Sequence, residues 1–336
     1  MKAEIKPRID LHNRTQLETV IPLQVPFIIN IDPSDKCNFK CKFCPTGDRD
    51  LMKNTPGRNF GVMDIDLYKK IIDDICEFEH PIRVLRLYKD GEPLLNKHFP
   101  EMIRYAREQK CSDRIDTTTN ASILTPEKSA AIIEAGGLDR INISIYGMNK
   151  TQYQNFSGFN IDMEKLISYV RFFYENKDDN CEMIVKITGD LIAPEDHQRF
   201  YDTFGDIADG VFIEHVMSCW PEFELRGDVQ ANQEFGIYGQ KIKEVMTCPY
   251  IFYSFSLNSD GSASTCFLDW SRDLIIGDAK NESVKEIWFG DKMKAFRKMM
   301  LEQKRKGHPV CGNCGQMTHG NPDNIDPFAK ELLAKL

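Results

Sequence analysis

From Phe27 to about Val216, short β-branched runs alternate with longer helical patterns. No other feature constrains the fold as tightly. The runs Phe27–Asp32, Arg83–Tyr88, Arg114–Thr118, Arg140–Ile145, Glu182–Thr188 and Val211–Val216 read as strands. Between the first two, Ile65, Tyr68, Ile71, Ile72 and Ile75 recur at helical spacing behind Asp64, an expected N-cap. Further helices are predicted around Lys97 to Gln109, from Thr125-Pro-Glu onward, over Asp162 to Tyr174, and over Pro194 to Phe204. Strands that alternate with helices argue an α/β fold with a parallel sheet, open or curled into a partial barrel.

The alternation stops after Val216. Residues 217–247 are mixed and polar, and Cys248 to Cys266 reads as a hairpin turning at Asn258-Ser-Asp-Gly261. Glu282 to Lys304 is expected to be helical, and Lys306 to Gly315 to be a cysteine-bearing loop. The expected divisions are an N-terminal extension at 1–26, a core at 27–216, a linker region at 217–240 and a small cysteine-rich domain at 241–336. With 43 Lys and Arg against 51 Asp and Glu, the net charge of −8 argues against nucleic acid as a partner. No apolar run approaches the roughly 18 residues of a membrane helix, and Met1 to Asp10 lacks a signal peptide's apolar stretch. A cytoplasmic protein is expected.

Eleven cysteines in such a chain point to metal before disulfides. Cys37, Cys41 and Cys44 crowd onto the loop after the first strand, the end where parallel α/β folds keep their active sites. Three thiolates can hold three irons of a [4Fe–4S] cluster and leave one iron open; zinc, with Asp48 or Asp50 as a fourth ligand, is the alternative. Cys248, Cys266, Cys311 and Cys314 form a second set, and by spacing alone tetrahedral zinc is slightly favoured there.

The first set, Cys-x-x-x-Cys-x-Phe-Cys, resembles the signature of the radical S-adenosylmethionine (SAM) superfamily. The resemblance implies a partial (β/α)6 TIM-like barrel. It also implies a [4Fe–4S] cluster whose open iron is chelated by the amino and carboxylate groups of SAM, with Phe43 near the adenine. Asp90-Gly91-Glu92-Pro93 is similar to the family's Gly-Gly-Glu-Pro, which holds the SAM amino group, although Asp90 replaces the first glycine. Thr118-Thr-Asn120 resembles Thr-Asn-Gly with Ala121 in the glycine position, and Ser144 ends the fourth strand. Asn120 and Ser144 are the resulting candidates for the ribose or methionine end of SAM.

Around the second set, Cys248-Pro, Asp260-Gly261, Ile276-Gly-Asp278 and Ile287-Trp288 resemble the SPASM and twitch extensions of that superfamily. Four cysteines match the shorter twitch type with one auxiliary [4Fe–4S] cluster, for two clusters in all. The arrangement is similar to that of twitch-bearing cyclitol dehydrogenases. It implies an enzyme that cleaves SAM reductively, with electrons from a flavodoxin- or ferredoxin-type donor. The resulting 5′-deoxyadenosyl radical would abstract hydrogen from a polar small molecule such as a cyclitol, aminosugar or sugar derivative. The auxiliary cluster would then accept an electron. Candidate proton acceptors are Glu214 and His215, only one of which should face inward from a strand, with Tyr88 and Lys89 as similar candidates. Cys219, three residues past the sixth strand, is a candidate hydrogen-atom donor that would instead make the enzyme an epimerase. A peptide-modifying maturase is a further alternative, weakened by the short stretch ahead of the first strand.

Overall fold

The computed structural model describes residues 1–58, 60–320 and 323–336. Its strands are β1 (Glu4–Ile5), β2 (Ile28–Ile31), β3 (Ile82–Leu87), β4 (Ser112–Thr119), β5 (Arg140–Ile145), β6 (Glu182–Thr188), β7 (Gly210–Glu214), β8 (Ser254–Leu257), β9 (Ser262–Ser264) and β10 (Ile275–Asp278). They form one sheet in the order β1-β7-β6-β5-β4-β3-β2-β8-β9-β10. Strands β2 to β7 are the six expected from sequence. They pair in parallel with helices between them, as a partial barrel requires.

The helices start where capping chemistry allows. Asp64 accepts from the backbone N–H groups of Asp66 (2.9 Å) and Leu67 (3.2 Å) ahead of helix Ile65–Ile75. Thr125 caps Pro126–Ala135, with proline at its first position. A helix at Lys150–Ser157, capped by Asn149, precedes the expected one at Met163–Asn176. The expected long helix over Glu282 to Lys304 is interrupted. Gly290 is extended and divides it into Val284–Phe289 and Asp291–Leu301. Within the cysteine-bearing loop, Pro309–Gly312 makes a single helical turn.

Alternation along the strands separates two environments. Ile29, Ile31, Leu85, Leu87, Ile115, Ile141, Ile143, Val185 and Val211 pack outward against the helices as the main core. Each contributes about 1.5–3 kcal/mol on burial. The other parity faces the lumen and is polar: Asn30 registers with Arg86, Arg86 with Asp116, Thr118 with Asn142, and Ser144 with Lys186. A lumen lined this way is a binding surface.

Two additions extend the expected barrel. β1 pairs in parallel with β7, which carries Arg8 to the lumen, and β8 pairs in parallel with β2. The C-terminal hairpin β8–β9 therefore continues the barrel sheet itself, turning through Asn258 to Gly261 as expected. Trp288 closes this side: it is fully buried, donates to the Leu23 carbonyl (3.2 Å) and lies 3.9 Å under the Arg297 guanidinium.

A buried ionic network fastens the two parts together. Arg272 reaches Asp35 (2.9 Å) and Asp90 (3.4 Å) and also donates to the Asn258 side chain. Arg58 reaches the same two carboxylates (3.5 and 3.2 Å), and Lys89 pairs with Asp90 at 2.9 Å. Removing one member of such a set leaves its partners charged and dry. Arg272→Met is therefore expected to lower unfolding free energy by about 3 kcal/mol or more. Urea denaturation followed by circular dichroism checks this; a loss below about 1 kcal/mol would mean that the network holds nothing together.

Candidate active site

The first cysteine loop leaves β2 and is gripped by backbone contacts. A β-carbon at Gly91 would collide with the carbonyl oxygens of Ser34 and Lys36, and one at Gly47 with the backbone of Cys41. Only glycine permits either approach. The Glu92 N–H donates to the Lys36 carbonyl (2.8 Å), so the Gly-Glu-Pro turn is bound directly to the cysteine loop. Phe39 anchors the loop from within, its ring centroid 4.6 Å from Phe159 and 5.3 Å from Tyr146.

Burial pushes the Cys37 thiol up to about 12 and raises those of Cys41 and Cys44 as well. Such groups lose their protons only in exchange for metal. The donor spacing distinguishes the metals. Tetrahedral zinc at 2.3 Å from each sulfur would hold sulfurs about 3.8 Å apart. Among the described residues, the one group of three ligand atoms within 4.8 Å of one another is Asp32, Asp35 and Asp90. Neither cysteine set is drawn that tight, as a cluster several atoms wide requires. Asp48, the suggested zinc ligand, instead caps helix Arg49–Asn54 by accepting from Leu51 N–H (3.0 Å).

The expected SAM contacts converge beside this loop. Cys37, Cys41, Cys44, Gly91, Glu92, Asn120 and Ser144 line one chamber of about 180 Å³. Glu92 accepts from the Thr119 hydroxyl (2.6 Å) and from the N–H groups of Asn120 (2.8 Å) and Leu94 (3.2 Å), while Pro93 starts the turn that it caps. Burial raises its pKa in spite of those three bonds. Asn120 donates to Asn38 in the cysteine loop (2.9 Å). Ala121 holds φ +56°, the left-handed backbone for which relatives use glycine. The Asp90 side chain turns into the ionic network described above.

A second chamber of about 190 Å³ adjoins the first and shares Phe43, Ser144, Tyr146 and Trp220 with it. Phe43 stacks on Tyr146 with centroids 5.9 Å apart and planes 13° apart, giving a flat aromatic wall. A third chamber, of about 280 Å³, lies deeper in the lumen and meets the other two at Trp220.

Cys248, Cys266, Cys311 and Cys314 converge on one pocket walled by Ile251, Leu268, Phe296, Met300 and Met317. Burial raises all four thiols, Cys248 to about 12. Arg305 secures the loop by donating to the Cys311 (2.8 Å) and Met246 (2.9 Å) carbonyls, and Leu268 N–H points at Cys266 Sγ (3.3 Å). Four soft donors in a dry pocket fit a fully ligated iron–sulfur cluster.

The candidate proton acceptors differ sharply in their surroundings. Glu214 is buried and bound to Lys186 (2.5 Å), with Arg8 at 3.8 Å. His215, beyond the end of β7, engages Asp190 at 3.0 Å on the rim of the same chamber. Strand alternation therefore does not separate the two as expected. Lys89 donates to Asp90 (2.9 Å) and the Asp269 carbonyl (3.1 Å). Tyr88 lines both the cysteine-side and the deep chamber. Burial would raise its phenol, but the guanidiniums of Arg86 and Arg8 outweigh burial and lower it. Cys219 is buried, its carbonyl 3.6 Å from Cys314 Sγ, and it lines the deep chamber. Arg8 and Trp220 are site residues that no pattern in the sequence singles out.

Comparison with known proteins agrees with this geometry. Residues 31–203 match the radical SAM superfamily, and residues 248–315 match the SPASM iron–sulfur cluster-binding domain. A probable GTP 3′,8-cyclase of Methanococcus maripaludis is 34% identical over 143 residues, which span 41% of this chain and 42% of the cyclase. The S-adenosyl-L-methionine-dependent 2-deoxy-scyllo-inosamine dehydrogenase of Niallia circulans is 20% identical over 89% of this chain and 96% of its own. The crystal structure of BtrN in complex with AdoMet and 2-DOIA shares the fold, with a TM-score of 0.56 at 18% identity over 90% of this chain and 98% of that one. With a family match over just over half of its length, the chain belongs to the radical SAM superfamily.

Proposed function

We propose that the chain is a radical SAM oxidoreductase that oxidises a carbinol of a polar small molecule, such as a cyclitol, aminosugar or sugar derivative. One observation carries this reading. The deep chamber is bounded by Tyr88 and Thr118 of the SAM side, and by Tyr250, Phe267, Leu268 and Gln316, which flank the late cysteines. A substrate there lies between the two metal sites. Bound to Cys37, Cys41 and Cys44, a [4Fe–4S] cluster with SAM supplies a 5′-deoxyadenosyl radical, and a cluster on Cys248, Cys266, Cys311 and Cys314 supplies an electron acceptor. Likeness to the dehydrogenase from Niallia circulans supports the reaction type. Reduction of the first cluster calls for a flavodoxin- or ferredoxin-type donor, and the reduced thiols fit the cytoplasm.

Oxidising a carbinol to a ketone removes one hydrogen atom, one proton and one electron. Among the chain's own groups we assign the proton to Tyr88. It touches the substrate chamber, and the two guanidiniums make its phenolate easier to form. Glu214 is committed to Lys186 and His215 to Asp190. The Phe43–Tyr146 wall and Trp220 screen the reacting centre from solvent, as radical chemistry requires. The deep chamber's volume suits a single ring better than a peptide segment. Epimerisation is the second reading. Cys219 favours it, because a thiol in the chamber wall can return a hydrogen atom to the opposite face of a substrate radical.

Three outcomes check these assignments. Changing Cys37, Cys41 and Cys44 together to alanine is expected to remove about four irons and abolish 5′-deoxyadenosine formation under dithionite. Formation at the wild-type rate would overturn the site. Turnover in deuterium oxide is expected to give a product about two mass units lighter than the substrate, unchanged in Cys219→Ala. An isomeric product carrying one solvent deuterium, lost in Cys219→Ala, would make the enzyme an epimerase. Finally, kcat/KM is expected to rise with pH to a plateau below 10, the ordinary tyrosine value, because the folded protein lowers the Tyr88 phenol. In Tyr88→Phe that limb is expected to disappear and kcat to fall about tenfold or more. An unchanged profile would move the proton to another group.

A further inference from the structure

The lumen carries more positive charge than its own carboxylates balance. Asp116 is held by Arg114 at 2.8 Å, and Glu214 by Lys186 at 2.5 Å. Beside the first pair, directly in register with Asp116, stands Arg86. Its Nε is buried without a hydrogen-bond partner, and among the described residues no carboxylate is in ion-pair contact with it. Beside the second stands Arg8, 3.8 Å from Glu214, whose remaining hydrogen bond is to the neutral Tyr238 hydroxyl (3.2 Å). Four cations thus surround two carboxylates. Of the other cations of the deep chamber, Arg14 pairs with Asp323, and Lys89 shares Asp90 with Arg58 and Arg272. Arg86, with no carboxylate in ion-pair contact among the described residues, and Arg8, which only shares Glu214 with Lys186, both line the deep chamber.

A buried guanidinium without a counter-charge is costly, and a planar fork of donors is suited to an oxyanion. The same two guanidiniums lower the phenol of Tyr88, which lies beside both. We propose that the deep chamber takes an anionic substrate, a sugar or cyclitol bearing a carboxylate or a phosphate, with that oxyanion held by Arg86 and Arg8. This rests on the reading of the chamber as the substrate site of a radical SAM oxidoreductase, and narrows its substrate class.

The test uses the full chain, reconstituted anaerobically with its clusters reduced and SAM omitted from the titration. Inorganic phosphate, glucose 6-phosphate, glucuronate and uncharged glucose are titrated while their NMR line widths are followed. A reduced cluster is paramagnetic and broadens any probe seated near it. The anionic probes are expected to bind about tenfold or more tightly than glucose, and to lose that advantage in Arg86→Met and Arg8→Met. Arg86→Lys is expected to retain part of it. Glucuronate against glucose 6-phosphate identifies the preferred oxyanion. If either methionine variant fails to fold, the wild-type titration across ionic strength decides: anion binding must weaken with salt and glucose binding must not. Equal binding of glucose and the anions, or anion binding indifferent to both substitutions, would overturn the proposal. 5′-Deoxyadenosine formation by the wild type is measured in parallel. If it persists without anion preference, the substrate class falls and the radical reading stands; if it is absent while anions bind, the reverse holds.

Discussion

Asp35 and Asp90 are two buried carboxylates on two different loops, and the site depends on their being held together. Asp35 opens the turn into Cys37, and Asp90 opens the Gly-Glu-Pro turn. Like charges so placed repel, and neither loop supplies the compensation. Arg58 and Arg272 do, each bridging both carboxylates, and Arg272 comes from the C-terminal domain. Asp32 lies in the same group. Burial and its two acidic neighbours push its carboxyl well above the usual range. The distance between the cysteine loop and the Gly-Glu-Pro turn is thus fixed in part by a residue far along the chain, Arg272. The glycine contacts at Gly91 and Gly47 can then be close because the loops have no freedom to separate.

The same continuity joins the two cysteine sets. Because β8 pairs in parallel with β2, the strand that leads into the first set lies beside the hairpin arm that follows Cys248. A shared sheet, unlike a flexible linker, sets the separation of the two cysteine sets. Electron transfer falls steeply with distance, so the oxidation proposed above calls for such a fixed spacing. Trp220 lines all three chambers, and its neighbour Cys219 lines two of them with its carbonyl 3.6 Å from Cys314 Sγ.

Local features of the sequence were legible because their physics is local. The cysteine spacing, the Asp64 and Thr125 caps, and the strand–helix alternation each involve residues a few positions apart, and each is present in the structure. The break at Gly290 was not anticipated, because helical periodicity continues on both sides of an extended residue. β1 is too short to show any period, and Arg8 reaches the lumen only because that strand finds the open edge of β7. Arg86 and Asp116 fall inside predicted strands, where nothing in the spacing marks them. Their meaning depends on parity: the pleat turns them inward, and register, which no spacing rule supplies, sets them opposite one another.

That inward charge also links recognition to proton removal. Arg86 and Arg8 are the groups that overcome burial to lower the Tyr88 phenol, and among the described residues of the deep chamber they are the guanidiniums with no carboxylate of their own. On the reading proposed above, the pair that would seat the oxyanion is the pair that makes the phenol easier to ionise, so an anion placed on them would weaken that effect. A neutral lumen would leave tyrosine near its ordinary acidity. The polar inner face of the barrel, which contributes nothing to the apolar core, therefore serves two purposes with one pair of charges.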